Sequence, residues 1–182
     1  MYGATTGASA DLMPHLRRAF PTALEYVAAA AAAGERRESV MTWWGRTSPQ
    51  PAVWPTEESA ARTAGRSWGR FTRNFVVQGS AAEWAMSWMA ILRGQLNALV
   101  VTGYSSPELA APGAAPAPFN NHPHLVFFVH DEIVVHTPVE LADEVAGLVR
   151  DAATAAGQLM FGDFAVEFPL SVAVVDCYAD GK

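Results

Sequence analysis

Residues 124–135 read His-Leu-Val-Phe-Phe-Val-His-Asp-Glu-Ile-Val-Val, two apolar runs on either side of a short polar break. Aromatic and β-branched residues dominate both runs, and this arrangement predicts a β-hairpin. The break holds three adjacent ionisable residues: His130, Asp131 and Glu132. Because ionised side chains are costly to bury, we expect the turn to lie at the surface or at a sheet edge over a cleft.

Helical patterns precede this hairpin. Apolar spacing and the position of Pro21 predict helices over 8–18, over 22–33 and over most of 57–99, the last with an interruption near 75–79. Aromatic and β-branched residues favour a strand at 39–44, and three prolines predict a loop at 47–55. The Pro- and Ala-rich segment 101–123 is expected to be a loop or insertion.

After the hairpin, Thr137 and Pro138 predict the start of a helix, with Thr as N-cap and Pro at the first position. Its expected buried stripe is Leu141, Val145, Leu148 and Val149. A closing strand is expected over 164–176. Helices followed by a hairpin, a helix and a closing strand indicate the α+β class.

Composition sets limits on the setting of the protein. The chain has 182 residues and one cysteine, Cys177, which excludes an internal disulfide and a multi-cysteine zinc site. A reduced, cytoplasmic location is the simplest interpretation. No apolar run reaches the roughly 18 residues that a membrane span needs, and residues 1–6 lack the order of a signal peptide.

The net charge of −6 argues against nucleic-acid binding, but the charges are unevenly placed. Residues 1–130 hold ten arginines against eight acidic residues, whereas residues 131–182 hold one arginine, one lysine and ten acidic residues. A protein that combines a carboxylate region with a local arginine surface fits this asymmetry, and so does an ordinary soluble protein.

The carboxylates of the polar break suggest a metal site. No Lys or Arg adjoins Asp131 in the sequence, and a bare carboxylate is a good ligand for a hard cation such as Mg²⁺. Phosphoryl-transfer enzymes use such carboxylates to hold two metal ions. A solvated hairpin turn remains the alternative, because Asp is common in turns.

A second polar feature repeats every four residues: Arg62, Arg66, Arg70, Asn74 and Gln78, with Arg73 beside it. On one continuous helix these side chains share a single face. Arg neutralises phosphates, and Asn and Gln hydrogen-bond base edges or sugars. The alternative is an ordinary solvated helix face. Small residues follow at 79–82, and they would allow another segment to approach the helix closely.

Three blocks in order resemble DNA polymerase family A, the polymerase I-like enzymes. Residues 125–134 resemble motif C, a hydrophobic strand followed by Val-His-Asp-Glu and a second strand. Residues 70–83 resemble the upstream segment in which Arg, Asn and Gln lie four apart before Gly-Ser-Ala-Ala-Glu. The opening Tyr2-Gly3 resembles the end of motif B. Three ordered blocks are far more specific than any one of them.

The resemblance implies template-directed DNA synthesis, in which the primer 3′-OH attacks a deoxynucleoside triphosphate with two Mg²⁺ ions. By motif position, Asp131 is a metal-binding catalytic carboxylate, and His130 and Glu132 lie by the primer terminus. The resemblance also implies DNA contacts from Arg70, Asn74 and Gln78, with Arg66 and Arg73 alongside them. Tyr2 would lie next to the nascent base pair. The implied role is in DNA replication or repair.

The resemblance also implies a division of the chain and a missing part. Residues 1–36 would end the fingers helices, 37–100 would form a palm-associated strand and the DNA-contacting helices, and 124–182 would form the distal palm with its catalytic hairpin. The motif A aspartate and the triphosphate-binding Arg and Lys of the fingers have no counterpart here. The chain is therefore expected to be an incomplete fragment that is inactive alone.

Two other functions stay open. One is a non-catalytic DNA-binding or regulatory module that keeps the face formed by Arg70, Asn74 and Gln78. The other is an unrelated metal hydrolase built on residues 130–132. The hydrolase needs further ligands, and the remaining histidines show no ligand-like spacing.

Overall fold

The computed structural model describes residues 6–99, 122–165 and 167–181. The elements are α1 (Thr6–Ala19), α2 (Pro21–Glu35), α3 (Glu58–Ala98), β1 (His124–Val129), β2 (Glu132–His136) and α4 (Ala142–Phe161). Short 3₁₀ turns cover Val139–Leu141 and Tyr178–Asp180. Helices together with one antiparallel sheet confirm the α+β class. No helix among the described residues is both long and apolar enough to cross a membrane.

The chain divides into two compact units, Met1–Glu83 and Trp84–Lys182, and helix α3 contributes residues to both. In the first unit, α2 packs against α3 through small residues. The buried Thr72 hydroxyl donates a hydrogen bond to the Ala30 carbonyl at 2.7 Å. A Cβ added at Gly34 would overlap the Thr72 side chain, and one added at Gly69 would lie 2.8 Å from the Ala31 carbonyl oxygen. Glycine at these two positions is what lets the helices approach.

Helix α2 ends in a Schellman motif. The Glu38 amide donates to the Ala33 carbonyl and the Arg37 amide donates to the Gly34 carbonyl, both at 2.9 Å. Arg37 has φ +67° at the position that usually holds glycine. Its guanidinium lies over the Trp54 ring, 4.4 Å from the ring centroid. This cation–π contact offsets part of the cost of the left-handed backbone.

In the second unit, the end of α3 packs against α4. Trp88, Leu92 and Leu96 are buried with Val145, Val149 and the alanines of α4. The Trp88 indole N–H donates to the Val149 carbonyl at 2.9 Å, so the buried polar atom is satisfied. The predicted stripe of α4 is confirmed, because Leu141 and Leu148 pack against the same core.

The predicted hairpin is also confirmed. Strands β1 and β2 pair antiparallel, with Phe128 opposite Ile133 and Val129 opposite Glu132. Leu125, Ile133 and Val135 pack against the core of the second unit. The hairpin is therefore anchored at its base by apolar side chains, while the residues of its turn are exposed.

Two expectations for the first unit are wrong. Helix α3 continues without interruption through 75–79, because the buried Val76 and the closely packed Gly79 are held by tertiary contacts that override weak helix propensity. Residues 39–44 form no strand, and the segment makes one isolated bridge, Met41 to Thr47. Gly45, at φ +86°, turns the chain back there.

Two expectations for the second unit are also wrong. The helix after the hairpin is not capped by Thr137, whose hydroxyl contacts the Pro138 carbonyl at 3.3 Å, and α4 begins only at Ala142. No described residue of the 164–176 segment lies in a strand. Among the described residues the segment does not join the β1–β2 sheet, and side chains such as Phe168, whose ring centroid lies 4.4 Å from that of Trp84, attach it to the second unit instead.

Candidate functional site

The polar break forms a two-residue turn between the paired residues Val129 and Glu132. His130 has φ +55°, in the left-handed region, and Asp131 does not. A positive φ at the first turn position alone has the sign pattern of a type II′ turn, in which glycine is favoured. A non-glycine residue costs on the order of 1 kcal/mol there. His130 therefore occupies a position that backbone energetics alone would give to glycine.

Asp131 is exposed at the tip of the hairpin. Within the described part of the chain its carboxylate has no hydrogen bond or ion pair. Both of its oxygens are free to bind an external ligand. Hard cations such as Mg²⁺ prefer such oxygens, so the donor chemistry fits the metal that the sequence suggested.

Glu132, the next residue, is engaged on one side. The Tyr178 hydroxyl donates a hydrogen bond to Glu132 Oε2 at 3.0 Å. No group of three or more potential metal ligands occurs among the described residues. Asp131 can therefore supply a ligand to a metal ion, and Glu132, the next residue, keeps one carboxylate oxygen outside the bond to Tyr178. The remaining ligands would have to come from water, a substrate or other residues.

Tyr178 is a site residue that the sequence did not reveal. Its ring packs edge-on against Phe127 of β1, with centroids 5.3 Å apart. The hydrogen bond to Glu132, followed by desolvation and the charge of that carboxylate, raises the pKa of the Tyr178 phenol above its usual 10.0. Tyr178 and Glu132 are 46 positions apart, and no local pattern announces the contact.

The polar row lies along the first part of α3. Arg62, Arg66, Arg70, Arg73, Asn74 and Gln78 are all exposed. Because α3 is continuous, the four-residue spacing places the row on one face, opposite the buried Thr72 and Val76. Arg62 pairs with Glu58 at 3.4 Å. Arg66, Arg70 and Arg73 have no acidic partner in the described chain, which leaves three guanidinium groups free for an anionic ligand.

The small residues after the row hold a separate segment in place. A Cβ at Gly79 would overlap Thr42 Cγ2, so glycine allows the 41–47 segment to reach the helix, as expected. Ser80 Oγ accepts a hydrogen bond from the Trp43 amide at 2.9 Å. The buried Glu83 accepts hydrogen bonds from the Thr42 hydroxyl and the Trp44 amide. These contacts attach the 41–47 segment to helix α3.

Other residues singled out in the sequence take structural or surface positions. Trp88 is buried and Trp84 stacks on it with ring centroids 5.3 Å apart, so this pair belongs to the core of the second unit. Cys177 is exposed and its thiol donates to Asp180 at 3.0 Å. Tyr2 and the segment 101–121 lie outside the described residues.

Comparison with known proteins gave one match. The family model described as "DNA polymerase family A" matches residues 2–179 of this chain, which is nearly its whole length. No curated protein and no solved structure gave a significant match.

Proposed function

From the premise that this chain belongs to DNA polymerase family A, we propose that it supplies the motif C half of a catalytic site for template-directed deoxynucleotide transfer to a primer 3′ end. Membership of the family makes it part of a DNA-binding nucleotidyltransferase that acts in DNA replication. The observation that carries the proposal is the position of Asp131, exposed and unpaired in the described chain, at the tip of an apolar-anchored hairpin.

In the proposed mechanism the turn of the hairpin carries the chemistry. Asp131 would hold Mg²⁺ through its carboxylate oxygens, with Glu132 as a secondary carboxylate. His130 lies by the primer terminus. A metal ion held there would supply electrostatic stabilisation of the negative charge that develops during phosphoryl transfer. The paired and anchored strands fix the backbone position of residue 131, from which the carboxylate reaches a ligand.

The exposed face of α3 is proposed to bind the primer–template duplex. Arg66, Arg70 and Arg73 would neutralise phosphates, and Asn74 and Gln78 would hydrogen-bond sugars or base edges. Their side chains are exposed, and the opposite face of the helix is packed. Tyr2 is proposed to lie next to the nascent base pair, on the basis of its motif position alone.

The proposal also assigns some of the catalytic groups to this chain and others to residues outside it. Two-metal phosphoryl transfer needs more than one carboxylate, and Asp131 is the one that the motif provides here. We infer that a second aspartate and the triphosphate-binding cations come from residues outside these 182. The isolated chain is therefore expected not to extend a primer. Extension by the purified 182-residue chain with Mg²⁺ and nucleotides would contradict this division.

Substitution of Asp131 tests the proposal directly. The substitution is made in a longer protein that contains these 182 residues and extends primers. In that protein, Asp131→Asn should lower the single-turnover rate of primer extension by at least about a hundredfold, the scale for removing one preorganised electrostatic group. Asp163→Asn is the matched control, because Asp163 is an exposed carboxylate in a turn of the same unit. An unchanged rate in Asp131→Asn would refute the assignment.

A second candidate is a DNA-binding module without catalysis, and the three unpaired arginines of α3 favour it. It predicts salt-sensitive binding of primer–template DNA that does not depend on Mg²⁺. Arg70→Ala should then weaken binding and reduce the salt slope by about one, whereas the control Arg93→Ala, an exposed arginine further along the same helix, should not. If Arg70→Ala abolishes binding but Asp131→Asn leaves primer extension intact, the module is the better description.

A further inference from the structure

We propose that Tyr178 is a positioning residue that fixes the orientation of the Glu132 carboxylate, next in sequence to Asp131, and this inference rests on the proposed function. The sequence around Tyr178 and around Glu132 gave no indication that these two side chains are in contact. The contact joins the C-terminal segment to the turn that carries Asp131.

The geometry assigns the two oxygens of Glu132 different tasks. Oε2 accepts the Tyr178 hydroxyl at 3.0 Å, and Oε1 is left to face a ligand. A hydroxyl that donates to a carboxylate forms a charge-assisted bond, which is stronger and more directional than a neutral one. An exposed glutamate without this bond samples several rotamers. Tyr178 therefore selects one orientation of a side chain that adjoins the proposed metal ligand.

The Tyr178 ring packs against one side chain of the hairpin, and its backbone belongs to a short turn. Phe127 of β1 contacts it edge to face at 5.3 Å. The residue opens the 3₁₀ turn Tyr178–Asp180, whose Asp180 side chain accepts a hydrogen bond from the Cys177 thiol. A fixed ring gives a fixed hydroxyl position. A polar side chain aligned by its own packing is what supports a precise site.

Removal of one hydroxyl tests the inference. In the form of the protein that extends primers, Tyr178→Phe keeps the ring contact with Phe127 and deletes the hydrogen bond. We expect the single-turnover rate to fall by about threefold to tenfold, the range for the net contribution of one ordinary hydrogen bond, because both side chains are exposed and water competes for the contact. The Mg²⁺ concentration for half-maximal rate should rise. Affinity for primer–template and the melting temperature should stay unchanged.

The control is Tyr26→Phe, which removes an exposed hydroxyl in the other unit, 3.5 Å from the Met41 carbonyl oxygen. It should match the wild type in every readout. A double-mutant cycle supplies the decisive measurement. If Tyr178 acts through Glu132, Tyr178→Phe has no further effect once Glu132→Ala is present.

The outcomes separate this inference from the proposed function. If Asp131→Asn abolishes extension while Tyr178→Phe behaves like Tyr26→Phe, the positioning role is wrong and the proposed function stands. Additive effects of Tyr178→Phe and Glu132→Ala also overturn it. If Asp131→Asn leaves the rate intact, the proposed function itself fails.

Discussion

The Thr42 hydroxyl donates a hydrogen bond to the carboxylate of Glu83, 41 positions further along the chain, and both side chains are buried. The Trp44 amide donates to the other oxygen of Glu83 at 3.2 Å, and Arg46 Nε lies 3.8 Å from the carboxylate. A nearly buried acidic group is tolerated because these donors replace water around it. This cluster fastens the 41–47 segment to helix α3.

Removing the acceptor should loosen that attachment. Glu83→Ala leaves the Thr42 hydroxyl and the Trp44 amide without their partner, and we expect a loss of about 2–3 kcal/mol in the free energy of unfolding. Glu83→Gln keeps one acceptor oxygen and should cost less. Urea denaturation measures both. The control Glu25→Gln, an exposed residue of α2, should change stability by less than about 0.5 kcal/mol. Equal stability of Glu83→Ala and Glu25→Gln would contradict the role given to the cluster.

Two glycines of α3 give opposite expectations for the same substitution. At Gly79 an added methyl overlaps Thr42, whose side chain is fixed by Glu83, so Gly79→Ala should destabilise by about 1–2 kcal/mol. At Gly94 nothing lies within 4 Å of an added Cβ. Gly94→Ala should therefore stabilise by about 0.5–1 kcal/mol through helix propensity. The melting temperatures of the two variants, compared with that of the wild type, test these expectations. A higher melting temperature for Gly79→Ala would show that the 41–47 segment is not packed against the helix.

Arg37 combines an unfavourable backbone with a favourable side-chain contact. Arg37→Ala keeps the left-handed backbone and loses the contact with Trp54, so we expect a loss of about 0.5–1 kcal/mol. Arg37→Gly loses the same contact but relieves the backbone, and it should be more stable than Arg37→Ala by about 1 kcal/mol. Chemical denaturation compares the variants. Identical stability of the two would mean that residue 37 is not left-handed in solution.

The hydrogen bonds of Glu57 indicate that the stability of the start of α3 depends on pH in the acid range. Its carboxylate accepts hydrogen bonds from the Ser59 hydroxyl and from the Ser59 and Ala60 amides, and these bonds lower its pKa below the usual 4.5. Because the pKa of Glu57 is lower in the folded state, its ionised carboxylate stabilises the fold fully at pH values above its unfolded-state pKa. This stabilisation is lost as the pH falls through the folded-state pKa of Glu57. Melting temperature should fall less steeply below about pH 4 in Glu57→Gln than in the wild type. The control Glu25→Gln, at an exposed residue of α2, should keep the wild-type slope.

The sequence predicted the elements that rest on local pattern. Two apolar runs on either side of residues 130–132 predicted the hairpin, and the spacing of Val145 and Val149 predicted the buried face of α4. The row on α3 was predicted from four-residue spacing. The role of this row in DNA binding and the role of residues 130–132 in metal binding stay predictions.

The errors arose where distant contacts override local preference. Helix α3 passes through Gly79 because Thr42 occupies the space beside it, a contact across 37 positions that no local window contains. The 164–176 segment has strand-like composition, yet a strand also needs a hydrogen-bonding neighbour, and no described residue of the segment pairs with either strand of the hairpin. The contact of Tyr178 with Glu132 was missed for the same reason.

The left-handed backbone of His130 has a consequence for how this protein varies under selection. A library screened only for resistance to heat should enrich glycine and asparagine at position 130, because both adopt this conformation more easily. A library screened for primer extension should retain histidine there. Deep mutational scanning under heat selection and under selection for primer extension would compare the amino acids enriched at position 130. The first selection reports which amino acids suit the fold there, and the second reports which amino acid suits the proposed reaction.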